Sequence, residues 1–296
     1  MPQSRVRRCA SLPGMELTKF GLWIGRSVAQ EQFGEAAQIA EELGYGALWV
    51  GGSRRLPALR LMLEASERIV IASGIVNIWA YEDPGQLADE FAALDADFPG
   101  RLLLGIGIGH PEATQQYEKP LSKTQRFLDG IAGSARPVPR ERMALAALGP
   151  KMLDLSFERT LGTHPYFTTP AHTAFARERL GTAALVAPEQ AVVIDRGDTG
   201  TAHATARGFA GYYLGLTNYT GNLERFGYTT EDFADGGSKR LIDDVVPQGS
   251  VVQVAAAVYA HLEAGADHVC VQTVQPSGTQ GVPADDWRAL AAELIG

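Results

Sequence analysis

The chain has 296 residues, 45% of them hydrophobic and 20% charged, with a net charge of −8, which is ample material for a core in one large domain or two ordinary ones. The acidic balance argues against a general nucleic-acid binder, which carries a basic face, and no apolar run reaches the roughly 18 residues of a membrane helix. Cys9 and Cys270 are the two cysteines; they exclude a disulfide framework and a paired-cysteine zinc site, and make a reducing, cytoplasmic setting the expectation.

Residues 1–14, MPQSRVRRCASLPG, place three arginines within four positions, with none of the apolar stretch a signal peptide needs. They are read as a disordered tail, or as the product of an upstream start before Met15, and residues 15–296 as one domain. From there apolar runs and helical patterns alternate. KFGLWIG (19–25) precedes a helix over 28–44 closed by Gly44. GALWVGG (46–52) precedes a helix over 56–68, and IVIASGIVNIW (69–79) one over 84–98 that starts at Pro84. RLLLGIGI (101–108) leads to a helical region over 112–133. RMALAAL (142–148) leads to a helix over 150–162, with proline in its first turn and glycine at its end. THPYF (163–167) leads to a helix over 170–181. The run at 183–194 is a strand only in part, and helical stretches at 201–227 and 250–264 follow it. DHVCVQTV (267–274) and a helix over 284–295 close the chain.

Eight strand–helix units in about 280 residues match the size of a (β/α)8 TIM barrel. A doubly wound sheet fits less well, because the turn after the first strand, GRSVAQ, is not a phosphate-binding loop. The segment 195–266 is too long for one crossover. Within it, YYLGLTNYTGNLERFGY (212–228) suits a lid or a subunit contact.

The fourth strand carries Gly105, Gly107 and Gly109 at every second position and ends in His110-Pro111. G-x-G-x-G is the period of a strand, not of a dinucleotide loop. Leu102, Leu104, Ile106 and Ile108 then share one face, and Leu103 and the three glycines the other. Such a bare face either relieves crowding where the barrel bends or opens a pocket at the C-terminal mouth, where barrel active sites lie. Other strand ends repeat the habit, with Gly51-Gly52-Ser53, Gly74 inside a β-branched run, and AALGPK (146–151) entering a helix whose N-terminus and Lys151 favour an anion. No His, Asp or Glu grouping repeats a metal-ligand spacing, so no metal is expected. No G-x-S-x-G elbow of a serine hydrolase occurs.

With LWVGGS (48–53), IVIASGIVNIWA (69–80), RLLLGIGIGHPEA (101–113), the run from Ala146 to Thr173 and EAGADHVCVQTV (263–274), the chain resembles the luciferase-like monooxygenase superfamily, in particular its branch of coenzyme F420-dependent oxidoreductases. The resemblance implies a barrel with the deazaflavin at its C-terminal mouth, a small-molecule substrate, and a homodimer. It implies a cis peptide bond in the third strand, matching Gly74-Ile75 with Ser73-Gly74 as the alternative, and places Ser73, Val76 and Asn77 along the cofactor. Gly107, Ile108, Gly109 and His110 match the segment at ring and side chain. Ala146, Ala147, Leu148, Gly149 and Lys151 match the phosphate end, and Gly162, Thr163 and His164 a further edge. Ser53 and His110 stand where relatives acting on sugar phosphates carry a catalytic histidine and a glutamate, which removes support for that activity.

The implied reaction is hydride transfer between the deazaflavin and a small organic substrate, with His110 as proton handler and Tyr166 or His164 next. An FMN-dependent monooxygenase and a non-catalytic flavin or deazaflavin binder are the alternatives. His172 is expected in the first turn of a helix, and His261 and His268 at the surface or in packing roles. Trp23, Trp49 and Trp79 are expected either to wall the pocket or to pack in the core.

Overall fold

The computed structural model describes residues 15, 17–52, 55–110, 112 and 118–296. The expected N-terminal tail and Ser53 lie outside the described residues. The strands are β1 (Phe20–Ile24), β2 (Ala47–Val50), β3 (Val70–Ser73), β4 (Val76–Asn77), β5 (Leu102–Gly107), β6 (Met143–Leu145), β7 (Gly162–Thr163), β8 (Leu185–Val186), β9 (Glu189–Ile194), β10 (Gln248–Gly249) and β11 (Val269–Thr273). Every registered pair is parallel. Two residues separate β8 from β9. The first pairs with β7 and the second with β11, which returns to β1, so the sheet closes on itself as a (β/α)8 barrel.

Strand alternation sorts the side chains into two layers. Leu22, Ile24, Leu48, Val50, Ile71, Leu102, Leu104 and Ile106 join the core under the helices. Trp23, Trp49, Val70, Ala72, Leu103 and Cys270 fill the interior. Parallel strands buried on both faces read as near-continuous apolar runs, which is why they were visible in the sequence.

Besides α1 (Phe33–Glu42), α2 (Arg60–Ala65), α6 (Pro170–Leu180) and α12 (Ala284–Leu294), whose starts carry no side-chain cap, several helices open on capping side chains. Helix α3 (Pro84–Asp97) starts on Asp83, whose carboxylate accepts from the Gly85 amide at 2.8 Å, and buries Leu87, Ala88, Phe91 and Leu94 along one stripe. Helix α11 (Val251–Glu263) opens on a Ser250–Gln253 capping box. Of the helical region expected over 112–133, the structure describes α4 (Pro120–Ala132), while 113–117 lie outside the described residues. Helix α5 (Pro150–Arg159) stops at Thr160, so Gly162 is not its terminator. Gly162 sits in β7 at φ 156°, where a Cβ would come within 2.0 Å of the Leu185 carbonyl oxygen.

The third strand carries an extra residue. Ala72 pairs with Leu103 and Val76 with Ile106, so Ser73, Gly74 and Ile75 face only Leu104 and Gly105. That is a β-bulge, and its Gly74-Ile75 bond is cis. Ser73 Oγ pins it by donating to the Gly105 carbonyl at 2.9 Å. A Cβ on Gly105 would lie 2.0 Å from the Ser73 carbonyl oxygen, and one on Gly107 would lie 2.8 Å from Ile75 Cδ1. The bare face therefore receives the bulge.

Between β9 and β10 the chain leaves the barrel rhythm for α7 (Thr199–Leu214), α8 (Thr217–Glu224), α9 (Thr230–Phe233) and α10 (Lys239–Val245). Their apolar faces pack with Phe167, Ala191 and Val193 in a second core.

Four histidines are buried and fully or partly bonded. His268 donates from Nδ1 to the Thr18 carbonyl at 2.6 Å and accepts on Nε2 from Trp49 Nε1 at 3.1 Å. His261 donates to Gln190 Oε1 at 2.7 Å and accepts from Thr173 Oγ1 at 2.7 Å. Both are core residues, so the surface reading of them falls. His172 donates to the Leu148 carbonyl, and His164 to that of Ala187. Burial pushes His164, His172 and His268 down to about 4 and His261 to about 3. Glu189, also buried, is pushed up to about 8.

Two expectations follow. Gly105→Ala should cost about 3 kcal/mol or more, because backbone blocks the new methyl. Gly208→Ala, in α7 with no heavy atom within 4 Å of its Cβ position, should stabilise by about 0.5–1 kcal/mol. Equal denaturant midpoints for the two would refute the bulge argument. The histidines stabilise fully above their unfolded value of 6.5 and lose that contribution as pH falls toward about 4. Glu189 stabilises below 4.5 and loses its contribution as pH rises through about 8. Thermal unfolding midpoints should therefore peak near pH 6.5 and fall on both sides, with Glu189→Gln flattening the side from 6.5 to 8. A midpoint that does not fall between pH 6.5 and 4.5 would contradict the neutral buried histidines.

Candidate active site

A cavity of about 740 Å³ opens at the C-terminal ends of the strands, within the size range of ligand and cofactor sites. One wall is the bulge and the strand it packs on, with Gly74, Ile75, Asn77, Gly107, Ile108 and Gly109. Asn77 Oδ1 accepts from the Trp79 amide at 3.0 Å, and the Trp79 indole donates to the Ile108 carbonyl at 2.8 Å. These bonds tie the exit of the third strand to the end of β5. Gly109 has φ 72°, and a Cβ there would lie 2.6 Å from Asn77 Nδ2.

The opposite side is aromatic. Trp23 lines the floor beside Tyr166, with ring centroids 5.2 Å apart. Tyr166 donates its hydroxyl hydrogen to Gln272 Oε1 at 2.8 Å, so the 2.8 Å contact with Tyr213 is one in which Tyr213 donates. Tyr212 and Tyr213 of α7 and Thr217, Asn218 and Tyr219 of α8 complete this side. The aromatic segment expected to act as a lid or a subunit contact thus walls the cavity of its own chain.

His110 leaves the end of β5 into the cavity, half-buried, with Nδ1 2.8 Å from Asn218 Oδ1 and its ring 5.1 Å from that of Tyr219. Two residues on, Glu112 accepts from the Thr217 amide at 3.0 Å and from its hydroxyl at 2.8 Å, capping α8. The Thr217 amide, foremost, holds the Glu112 carboxyl below its usual range. The loop after β5 and the covering helix thus hold each other.

The charged side chains among the described residues that line the cavity are Arg26 and Arg225, with no Asp or Glu. A Cβ on Gly149 would lie 3.7 Å from Arg225 Nη2, which places that guanidinium at the start of α5. No side chain caps that helix, so its first turn and Arg225 together present a positive edge.

The expected site residues divide by strand alternation. Gly74, Ile75, Asn77, Gly107, Ile108, Gly109, His110, Ala146, Leu148, Gly149, His164 and Tyr166 line the cavity. Val76 points instead into the core beneath the helices and Ala147 into a small cluster with Leu153 and Val186. Ser73 is spent on the Gly105 carbonyl, and Thr163 Oγ1 donates to the Leu145 carbonyl at 3.1 Å. Gly162 is pressed on β8, and Lys151 is exposed away from the lining, its expected place at the anion edge being filled by Arg225. Two proton handlers also lose ground. Tyr166 has its hydrogen committed to Gln272, and burial raises its pKa well above 10. His164 is neutral, and its Nδ1 hydrogen is given to Ala187. Arg26, Asn218, Arg225 and Gln272 were not singled out from the sequence. Arg26 comes from a turn and Asn218 and Arg225 from an irregular insertion, where no periodicity marks the facing side, whereas Gln272 lies in β11, where a polar side chain in an apolar run was a signal that could have found it.

The family described as luciferase-like monooxygenase matches residues 15–129. The F420-dependent glucose-6-phosphate dehydrogenase of Microbacterium testaceum (strain StLB037) is 27% identical over 126 residues, covering 33% of this chain and 38% of that relative. The chain therefore matches well under half the length of this relative. Among solved structures, the coenzyme F420 dependent tetrahydromethanopterin reductase from Methanopyrus kandleri superposes with a TM-score of 0.73 at 17% identity, covering 95% of this chain and 99% of that one. The oxygenating constituent of 3,6-diketocamphane monooxygenase from Pseudomonas putida, a complex with FMN, superposes with a TM-score of 0.68 at 14% identity, covering 94% and 98%. The chain is thus similar to luciferase-like monooxygenases over its N-terminal strands, residues 15–129, and shares the (β/α)8 barrel fold of these structures over nearly its whole length.

Proposed function

We propose that the protein is a coenzyme F420-dependent oxidoreductase that moves a hydride between the deazaflavin and a small organic substrate. The observation that carries this reading is the cavity's lining. A flat wall of glycine and bulge backbone faces aromatic rings, and the only charged side chains among its described lining residues are two arginines, one of them at a helix N-terminus. Such a site suits a planar ring with an anionic tail. Ile75, Asn77 and Gly107 would hold the ring, and Gly149, Arg225 and the first turn of α5 the phosphate. When bound, the deazaflavin supplies the two-electron hydride chemistry.

The chain supplies the rest. Tyr212, Tyr213 and Tyr219 cover the mouth and exclude water. His110, with Nδ1 donating to Asn218, keeps Nε2 for exchanging a proton with the substrate oxygen. Sugar-phosphate chemistry is not part of the proposal, because Ser53 and His110 replace the histidine and glutamate of the relatives that perform it.

Titration with F420 and with FMN, followed by fluorescence, tests the cofactor. F420 should bind, and Arg225→Met should weaken it about tenfold, ~1.4 kcal/mol, while barely changing the affinity of the phosphate-free deazaflavin alcohol. FMN binding without F420 binding would replace this reading by that of an FMN-dependent monooxygenase, which the FMN-bound neighbour of the same fold keeps in view. His110→Asn should lower kcat about 100-fold with unchanged F420 affinity. An unchanged kcat removes His110 from the chemistry, and F420 binding without turnover of any carbonyl, alcohol or enone would leave a non-catalytic carrier.

A further inference from the structure

At the cavity floor two buried polar atoms have no hydrogen-bond partner, Trp23 Nε1 and His164 Nε2. Trp23 is 7% exposed and His164 1%, and both line the cavity. The Trp23 indole lies on Gly51, where a Cβ would fall 2.0 Å from Cζ2. His164 stacks on Trp49 with ring centroids 4.0 Å apart, and its Nδ1 hydrogen goes to the Ala187 carbonyl at 2.8 Å. Nε2 is therefore a bare lone pair, and burial keeps the ring uncharged at neutral pH. Both orphaned atoms converge on one place. A Cβ built on Gly74 would lie 2.6 Å from Trp23 Nε1 and 3.3 Å from His164 Nε2. One donor and one acceptor thus sit side by side against the bulge, not bonded to each other.

An unmatched buried donor or acceptor is costly, so such a pair selects a ligand that answers both. The answering group must carry an acceptor next to an N–H or O–H. A cyclic imide edge, with its carbonyl beside a ring N–H, does so in one plane. We infer that Trp23 and His164 form a donor–acceptor clamp for the imide edge of the cofactor's pyrimidine ring, Trp23 donating to a ring carbonyl and His164 accepting from the adjacent N3–H. This rests on the reading of the site as a deazaflavin or flavin pocket. It goes further by assigning the ring's direction, with the pyrimidine edge against the barrel interior and the tail toward Gly149 and Arg225. It also gives His164 a binding role in place of proton transfer.

The test is equilibrium binding of the phosphate-free deazaflavin alcohol and of its N3-methyl derivative to the full chain, read by fluorescence. Methylation removes the hydrogen His164 would accept and should weaken binding about 30-fold, the order expected for one buried hydrogen bond. Trp23→Phe should weaken the parent ligand, and His164→Phe should weaken it while erasing the difference between the two ligands. Equal affinity of parent and N3-methyl ligand for the unaltered protein overturns the clamp, and needs no variant to fold. If the ligands bind with equal affinity while F420 still binds, the clamp alone falls. If neither F420 nor FMN binds the unaltered protein, the cofactor reading and the clamp fall together.

Discussion

The site depends on one extra residue in the third strand. Between Ala72 and Val76 the strand is one residue longer than its neighbour between Leu103 and Ile106, and the surplus has to go somewhere. It goes toward β5, where the Ser73 carbonyl and the Ile75 side chain occupy space that side chains at 105 and 107 would need. The glycine alternation and the bulge are one steric arrangement viewed from two strands. Past the bulge, register is recovered at Val76 and Asn77, so Asn77 reaches the cavity wall beside Gly107.

That coupling explains what sequence reading achieved and where it stopped. The barrel was legible because parallel strands buried on both faces are continuous apolar runs, and because residues such as Pro84 mark helix starts. The alternation of Gly105, Gly107 and Gly109 was legible as a bare strand face, but not what fills it, since Ile75 is some 30 positions away. Val76 and Ala147 were placed in the site because their neighbours are there. Period-two geometry turns each of them the other way. Gly162 looks like a helix stop from its position, yet its conformation answers to Leu185 across the sheet. Arg225 and Asn218 lie in the segment 212–228 read as a lid or subunit contact, but nothing local told which of its side chains face the cavity, because where an insertion's helices land is decided by tertiary packing.

Two histidines that contact Trp49 differ in how fully their nitrogens are matched. Low down, Trp49, His268 and the Thr18 carbonyl close a chain in which each hydrogen has an acceptor. One layer up, His164 stacks on the same Trp49 and satisfies one nitrogen on Ala187, leaving the other bare beside Trp23. The lower pair forms a fully bonded plug. The upper pair has the same chemistry with one partner missing, where the plug meets the cavity. Gly21, Gly51 and Gly74 make both layers possible, because a Cβ at any of them would enter the ring above it.

Net charge would have been a poor guide to the ligand. The chain carries −8 overall, which says little about a small ligand whose charge a few local groups can meet. Charges on the outer surface are screened within about 8 Å at physiological ionic strength, whereas groups lining a recessed cavity act at contact distance in a lower dielectric. The sign of the cavity is therefore set by Arg26, Arg225 and the open first turn of α5, with no carboxylate among its described lining residues to oppose them. Under the proposed function, that recess is where the anionic tail of the cofactor would be held.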